Sequence, residues 1–250
     1  DYVICEATYG ARKRPVLKPD ARRKVLADIV RKAMGRGGVL VIPAFSVERT
    51  QELLSDLSLL MTKGEIEERL VFLDSPLAIK ATEAFKRHAD ELEDTGEDGE
   101  IFANPSFHFT RTVEESKAIN NYENGVIILA ASGMCEAGRI RHHLKRRLWD
   151  EKNTVLLTGY QAPGTLGSIL ENGAKTVRIQ GEDIRVKAHL QSIDIYSGHV
   201  DADGVMDWMT ARKPVTRAVF LTHGQAEGLN ALHDRLIEAG FEKDRIIIPH

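Results

Sequence analysis

Short apolar runs rich in β-branched residues alternate along this chain with longer stretches whose hydrophobic positions recur at helical spacing. Such a rhythm is typical of βα units arranged around a mostly parallel sheet. The runs that predict strands are 2–5, 39–43, 71–73, 126–130, 154–157, 218–221 and 246–248. The sequence therefore predicts an α/β protein with a mostly parallel sheet flanked by helices.

The amphipathic stretches between these runs predict the helices. Their expected bounds are 19–34, 47–61, 76–93, a short helix from 112, 136–148, one ending near 170, 201–211 and 225–239. The stretch 101–109 is aromatic and is expected to be irregular. Between 175 and 195 three closely spaced strand-like runs replace the alternation, which indicates a change of domain near 195.

Composition and cysteine content narrow the class of protein. The chain has 250 residues, of which 42% are hydrophobic, so intrinsic disorder is excluded, and no apolar run reaches the roughly 20 residues needed to cross a bilayer. Cys5 and Cys135 are too few for a disulfide scaffold or a four-cysteine zinc site and are expected to be buried free thiols. No signal peptide is recognisable. We therefore expect a cytoplasmic protein.

Charge is unevenly distributed along the chain. The net charge of −3 argues against a generic nucleic-acid binder. Residues 12–36 nevertheless hold ten basic and two acidic side chains, and residues 139–152 hold six and two. Each basic run is either a solvated helix face or one wall of a nucleic-acid groove, and the sequence leaves both interpretations open.

Three residues that can do chemistry stand immediately after predicted strands. Glu6, His199 and His223 occupy such positions, and functional groups of open α/β sheets gather at the carboxyl ends of strands. A histidine in a glycine-containing turn can present an imidazole nitrogen to a metal or a phosphate. A neighbouring carboxylate fixes its tautomer and raises its basicity. By spacing alone, however, such histidines cap helices about as often.

Seven segments in order make the functional interpretation much more specific. They resemble the β-CASP branch of the metallo-β-lactamase fold, which includes the RNA-cleaving subunit of the pre-mRNA cleavage and polyadenylation machinery and ribonuclease J. The segments are CEATYG (5–10), IPAFSVERTQE (42–52), DSPLA (74–78), ASGM (131–134), GYQ with GTL (159–166), SGH (197–199) and LTHG (221–224).

The resemblance implies a role for each of the three strand-end residues. Glu6 matches the acid of motif A, His199 the histidine of motif B and His223 the histidine of motif C. In the family the motif C histidine is a zinc ligand. The motif B histidine lies against the scissile phosphate and is oriented by the motif A acid. Because DNA-repair members generally have an aliphatic residue at motif C, His223 favours RNA as the substrate.

The resemblance also implies residues that hold the RNA backbone. Turns with glycine at a helix start offer backbone N–H groups to a phosphate, although each alone is also ordinary strand-to-helix punctuation. Arg49 either faces the nucleic acid or pairs with Glu48 or Glu52 on its own helix. Trp149, Trp208 and the phenylalanines are too scattered for a stacking platform and are expected in the core. The candidate phosphate-binding residues are Ser132, Gly133, Gly164 and Thr165.

One large departure from the family pattern concerns the metal. The His-x-His-x-Asp-His cluster that precedes motif A in the family is absent, and His142 and His143 would diverge on a helix. The chain is therefore expected to be a fragment that binds zinc weakly or not at all and does not cut RNA. It is expected to contain the end strand of the lactamase domain (1–11), the β-CASP domain (12–195) and the returning lactamase segment (196–250).

The expected activity of the intact protein is hydrolysis of RNA phosphodiesters with two zinc ions. Its expected partners are single-stranded RNA and a possible second copy of itself, without a membrane. Three alternatives remain: a non-catalytic RNA-binding or scaffold relative, a DNA-repair nuclease, and an unrelated α/β hydrolase or binding module. The sequence has no Gly-x-Ser-x-Gly elbow, which an α/β hydrolase would need.

Overall fold

The computed structural model describes residues 1–15, 17–91 and 100–249. The strands within these ranges are β1 Tyr2–Glu6, β2 Leu40–Pro43, β3 Val71–Leu73, β4 Phe107–Phe109, β5 Ile127–Ala130, β6 Thr154–Leu157, β7 Thr176–Ile179, β8 Glu182–Arg185, β9 His189–Ser192, β10 Ala218–Thr222 and β11 Ile246–Ile247. The helices are α1 Pro19–Gly35, α2 Arg49–Thr62, α3 Pro76–Arg87, α4 Val113–Ala118, α5 Ile140–Arg147, α6 Leu166–Glu171, α7 Ala202–Arg212 and α8 Ala226–Glu238. The alternation confirms the α/β class. In the described residues no helix is both long and apolar enough to cross a membrane.

The chain forms two compact units. The larger is Leu17–Tyr196, and the smaller combines Asp1–Val16 with Ser197–His250. The larger unit has a parallel six-stranded sheet in the order β4-β3-β5-β2-β6-β9, and β7 and β8 form a separate antiparallel pair. The smaller unit has a parallel sheet in the order β1-β10-β11. In each sheet the parallel strands bring the loops after their carboxyl ends to one edge.

Both faces of the six-stranded sheet are buried. Leu40 and Ile42 of β2 point into a core formed with α1, α2 and α3. Val41, between them, belongs to a second core on the other face, which includes residues of α5 and α6. This double burial explains why the central strands are continuous apolar runs without alternation.

The sheet of the smaller unit follows the opposite pattern. Val3 of β1 is buried with residues of α7 and α8, whereas its neighbours Tyr2 and Ile4 are 70% and 78% exposed. The strand therefore alternates between a face covered by helices and a face that is open in this unit.

Several predicted element bounds are wrong for identifiable reasons. Helix α3 begins at Pro76, where the Ser75 side chain accepts a hydrogen bond from the Ala78 N–H, but it ends at Arg87. The predicted end at 93 lies outside the described residues. Residues 107–109, expected to be irregular, form β4 because they pair with β3, a partner distant in sequence. Helix α5 begins at Ile140 rather than 136, because residues 131–139 form an extended turn closed by the Ile140 N–H bond to the Ala131 carbonyl.

The aromatic residues are less buried than predicted. Trp149 and Trp208 are 57% and 46% exposed, and Phe45 is 48% exposed. The Arg212 guanidinium lies 3.8 Å from the centre of the Trp208 ring, so the exposed indole is covered by a cation. The prediction that these three residues lie in the core is wrong.

Candidate functional site

Parallel pairing brings two of the candidate residues to one sheet edge. Glu6 ends β1 and stands in register with Thr222, the last residue of β10, so that His223 follows beside it. His223 has a φ of 50°, a left-handed conformation that non-glycine residues adopt rarely. A Cβ atom on the next residue, Gly224, would lie 2.6 Å from the Ala7 carbonyl oxygen. Glycine is therefore required for the turn to approach β1 so closely.

His199 reaches the same edge from a different part of the chain. An isolated parallel bridge between Tyr9 and Asp201 holds the segment that contains it against the end of β1. His199 Nδ1 lies 2.9 Å from Glu6 Oε2, and both side chains are partly exposed. The carboxylate can only accept, so it fixes the tautomer in which His199 carries its hydrogen on Nδ1.

Thr8 completes the cluster, and the sequence analysis missed it. Its hydroxyl donates to the His223 carbonyl over 3.0 Å and lies 3.1 Å from His223 Nδ1. When its one proton goes to this carbonyl, the hydroxyl accepts from Nδ1–H, which is the tautomer with the lone pair of His223 on Nε2. The two imidazole rings stack with centroids 5.2 Å apart. Thr8 follows Glu6 by two residues, a spacing that places both on one side of an extended chain.

The environment keeps the Glu6 carboxyl ionised. Partial burial raises its pKa, whereas hydrogen bonds from Thr8 and His199 lower it, and the net pKa lies below the ordinary value.

The donor set suits a zinc ion. Glu6, His199 and His223 each offer one ligand atom, and these atoms lie within 4.8 Å of one another. Two imidazole nitrogens and a carboxylate oxygen are donors that zinc accepts. This is the only such group among the described residues. Because Glu6 and His199 bind each other, the lone pair of His223 is the donor best prepared for a metal.

The candidate phosphate turns lie in the larger unit and are joined to each other. Ser132 and Gly133 follow β5, and Gln161 Nε2 donates to the Gly133 carbonyl over 3.2 Å. Gly164 and Thr165 precede α6, where the Thr165 hydroxyl caps the helix by accepting from Ser168. Glu6, His199 and His223 belong to the smaller unit. The phosphate-binding roles stay predictions.

Arg49 and some residues of the basic runs are paired within the protein. The side chain of Arg49 is 9% exposed and forms an ion pair with Glu52. Arg22 binds both Glu52 and Asp56, and Arg139 binds Asp74. Many of the charges expected to line a nucleic-acid groove are thus neutralised by partners. Binding of a phosphate by Arg49 stays a prediction. It requires the Arg49 guanidinium to break its ion pair with Glu52.

A second histidine–carboxylate pair was also missed by the sequence analysis. Asp74, at the end of β3, is completely buried and accepts from the side chains of four residues. His143 Nε2 and Arg139 Nη1 each lie 2.7 Å from it, and the Thr110 and Ser116 hydroxyls lie 2.5 and 2.6 Å away. Burial raises the pKa of the carboxyl, but these four donors hold it far below its usual range. No local pattern connects these residues, because only folding brings them together.

Sequence comparisons place the chain in a family. Residues 50–170 match the Beta-Casp domain, and residues 183–249 match the Zn-dependent metallo-hydrolase RNA specificity domain. With the fold and the cluster around Glu6, these matches confirm the resemblance: the chain belongs to the β-CASP branch of the metallo-β-lactamase fold.

Individual relatives include a ribonuclease and several termination factors. The chain is 34% identical over 248 residues to Ribonuclease TTHA0252 of Thermus thermophilus. This alignment covers 97% of this chain and 56% of that protein. It is 33% identical over 234 residues to Transcription termination factor FttA of Methanosarcina mazei and 28% identical over 234 residues to that of Thermococcus kodakarensis. These two alignments cover 89% and 90% of this chain but 36% of each relative. The chain thus spans between about a third and about half of these relatives.

Proposed function

We propose that the chain is part of an RNA-processing nuclease that hydrolyses RNA phosphodiesters with bound zinc. The observation that carries the proposal is the convergence of Glu6, His199 and His223 within one cluster whose atoms can serve both an imidazolium and a metal. In domain terms, 1–11 and 196–250 belong to the metallo-β-lactamase domain, and 12–195 form the β-CASP domain.

Each residue of the cluster has a distinct role in this proposal. Glu6 holds His199 by Nδ1, so Nε2 is the atom at which a proton is held for the leaving oxygen of the scissile phosphate. His223 offers Nε2 to a metal, and Thr8 fixes the tautomer that makes this possible. In the intact protein His223 would be one ligand of two zinc ions, whose chemistry would be to activate a water and to polarise the phosphate. Among the described residues this cluster offers too few ligands to hold them tightly.

The larger unit is proposed to hold single-stranded RNA by its backbone through the turns at 132–133 and 164–165. Arg49 has the weakest support of the proposed contacts, because its charge is already paired with Glu52. A homodimer and a cytoplasmic location stay predictions. Two alternatives are kept: a non-catalytic RNA-binding relative, and a DNA-repair nuclease, against which the histidine at position 223 counts.

The test is cleavage by the full reading frame that encodes this chain, expressed with zinc. Labelled single-stranded RNA and DNA of the same sequence are compared for the wild type, His199→Ala and Glu6→Gln. We expect cleavage of RNA, and a rate about 10² to 10⁴ times lower in His199→Ala, the contribution typical of a positioned acid or base. His233→Ala is the matched control, because His233 bonds only Asp234 and lies outside the cluster.

The outcomes separate the alternatives. An intact protein that binds RNA without cutting it supports the non-catalytic relative, and one that cuts DNA better than RNA supports the repair nuclease. A rate unchanged in His199→Ala contradicts the role of the cluster.

A further inference from the structure

Phe45 is an exposed aromatic residue in the loop after β2, at the edge of the larger sheet where the strands have their carboxyl ends. It lies just beyond β2, which is hydrogen-bonded to β5 on one side and β6 on the other. The residue before it, Ala44, is buried, whereas Phe45 is 48% exposed. A phenylalanine that exposes half of its surface there is not explained by the core of this unit.

The ring lies directly against the Ser132–Gly133 turn. A Cβ atom on Gly133 would lie 2.9 and 3.0 Å from two ring carbons of Phe45 and 3.2 Å from its backbone nitrogen. The glycine backbone and the aromatic ring are therefore in contact and form one continuous surface. Gly133 is buried, and within the described part of the chain its N–H donates no hydrogen bond, so a buried donor without a partner adjoins the ring.

Buried side chains hold this surface in place. The Thr50 hydroxyl donates to the Phe45 carbonyl over 2.7 Å, and Gln51 Nε2 donates to the Ser46 carbonyl over 3.2 Å. Gln161 makes the corresponding bond to Gly133. All three donor side chains are at least nine-tenths buried. The ring and the turn are thus preorganised, which lowers the entropy lost when a ligand binds.

We propose that Phe45 stacks on one nucleobase of bound single-stranded RNA while the adjoining phosphate is received at the Gly133 N–H and the Ser132 hydroxyl. An aromatic face accepts any base, and proteins that hold single strands by the backbone use such rings without sequence preference. This inference rests on the proposed RNA function and adds to it a base-binding subsite.

Polar groups accompany the exposed apolar side chains here, and they favour a nucleotide over a protein partner. Val47 and Leu77 are also exposed, and the Ser46 and Ser75 hydroxyls lie 3.5 Å apart between their loops. A purely apolar patch would suit a protein surface. Here a buried backbone N–H without a partner among the described residues adjoins the ring, and a base with its phosphate requires both an aromatic face and such a donor.

The experiment measures equilibrium binding of a labelled 12-nucleotide single-stranded RNA to the full chain at fixed salt, because affinity depends on salt. We expect Phe45→Ala to weaken binding about tenfold, the order of one lost stacking contact. Phe45→Trp should bind at least as tightly as the wild type. Trp149→Ala is the matched control: it also removes an exposed aromatic ring from the larger unit, and its affinity should be unchanged.

A second set of oligonucleotides tests the base itself. A single abasic nucleotide is moved along the RNA, and the wild type should lose affinity at the positions where the missing base would stack. Phe45→Ala should be indifferent to the abasic nucleotide, because it has no ring to lose.

Equal affinity of the wild type and Phe45→Ala, or equal sensitivity of both to abasic RNA, overturns the stacking inference and leaves the proposed nuclease standing. A wild-type chain that binds no RNA overturns the inference and weakens the proposed function with it. Loss of binding in Trp149→Ala as well assigns the effect to exposed aromatics in general and also overturns the inference.

Discussion

Two of the histidine–carboxylate pairs among the described residues stand at strand ends and have opposite surroundings. In the smaller unit His199 and Glu6 are 39% and 29% exposed. In the larger unit His143 and Asp74 are 4% and 0% exposed, and Asp74 also binds an arginine and two hydroxyls. Both pairs follow parallel strands, so strand-end position alone does not distinguish them.

The difference shows what makes such a pair available for chemistry. The Asp74 carboxylate accepts a hydrogen bond at each oxygen lone pair and has no access to solvent. The pair therefore connects and stabilises the segments that follow β3, β4 and β5. The cluster of Glu6, His199 and His223 keeps ring nitrogens that bind nothing among the described residues. A saturated, buried pair stabilises the fold, whereas an incompletely satisfied and accessible one can bind a substrate or a metal.

The strongest challenge to this comparison is Asp74→Ala. Removing the carboxylate leaves the buried imidazole of His143 and the partly exposed guanidinium of Arg139 without this partner, and we expect the unfolding free energy of the larger unit to fall by about 3–5 kcal/mol. Trp149 fluorescence in a Trp208→Phe background follows denaturation of that unit, because the two tryptophans lie in different units. A loss below about 1 kcal/mol would contradict the structural assignment.

A smaller loss of unfolding free energy is expected when His143, the partner of Asp74, is replaced. His143→Ala should cost about 1–3 kcal/mol, since Asp74 keeps its other three donors. His142→Ala, one residue earlier and exposed, should stay within about 0.5 kcal/mol in the same assay. Equal losses in both variants would mean that helix α5 is sensitive to any substitution and not to this contact.

The pH dependence should separate the two carboxylates as well. The folded pKa of Asp74 lies below the unfolded value of about 3.9, so its contribution is present above that pH and disappears as the pH falls through the folded pKa. In Asp74→Asn the loss of stability between about pH 5 and 3 should therefore be shallower than in the wild type. Glu6→Gln, whose carboxyl is partly exposed, should change the slope less. The reverse order would refute the comparison.

The smallest effects should come from the accessible pair. Glu6→Gln and His199→Ala should change the unfolding free energy by less than about 1 kcal/mol, because solvent replaces an exposed partner. The emission of Trp208 in a Trp149→Phe background reports this unit. A cost comparable to that of Asp74→Ala would show that the cluster is structural.

Zinc should affect the smaller unit only slightly. Because His223 is the one imidazole of the cluster that is not paired with Glu6, excess zinc should raise the melting temperature by no more than a few degrees, and His223→Ala should remove the shift. Stoichiometric, tight binding would contradict the expectation that this chain holds zinc weakly.

Much of the fold was accessible from local patterns. The strand β6 was predicted with its observed bounds, and the starts of α1 and α3 followed from a proline at the first turn. The strand β4 was not predicted, since its three residues gain their conformation from pairing with β3. The start of α5 was misplaced because the turn before it is fixed by contacts outside that segment.

The sequence by itself determined the α/β rhythm, the family and the three strand-end residues Glu6, His199 and His223. These properties are encoded in periodicity and in short motifs. Only the tertiary structure decided that Thr8 joins them, that Asp74 meets His143 across 69 residues of chain, and that Phe45 remains exposed against Gly133. Such contacts depend on strand register and on the crossing of distant loops, and burial then decides whether a polar group stabilises the fold or stays available for binding.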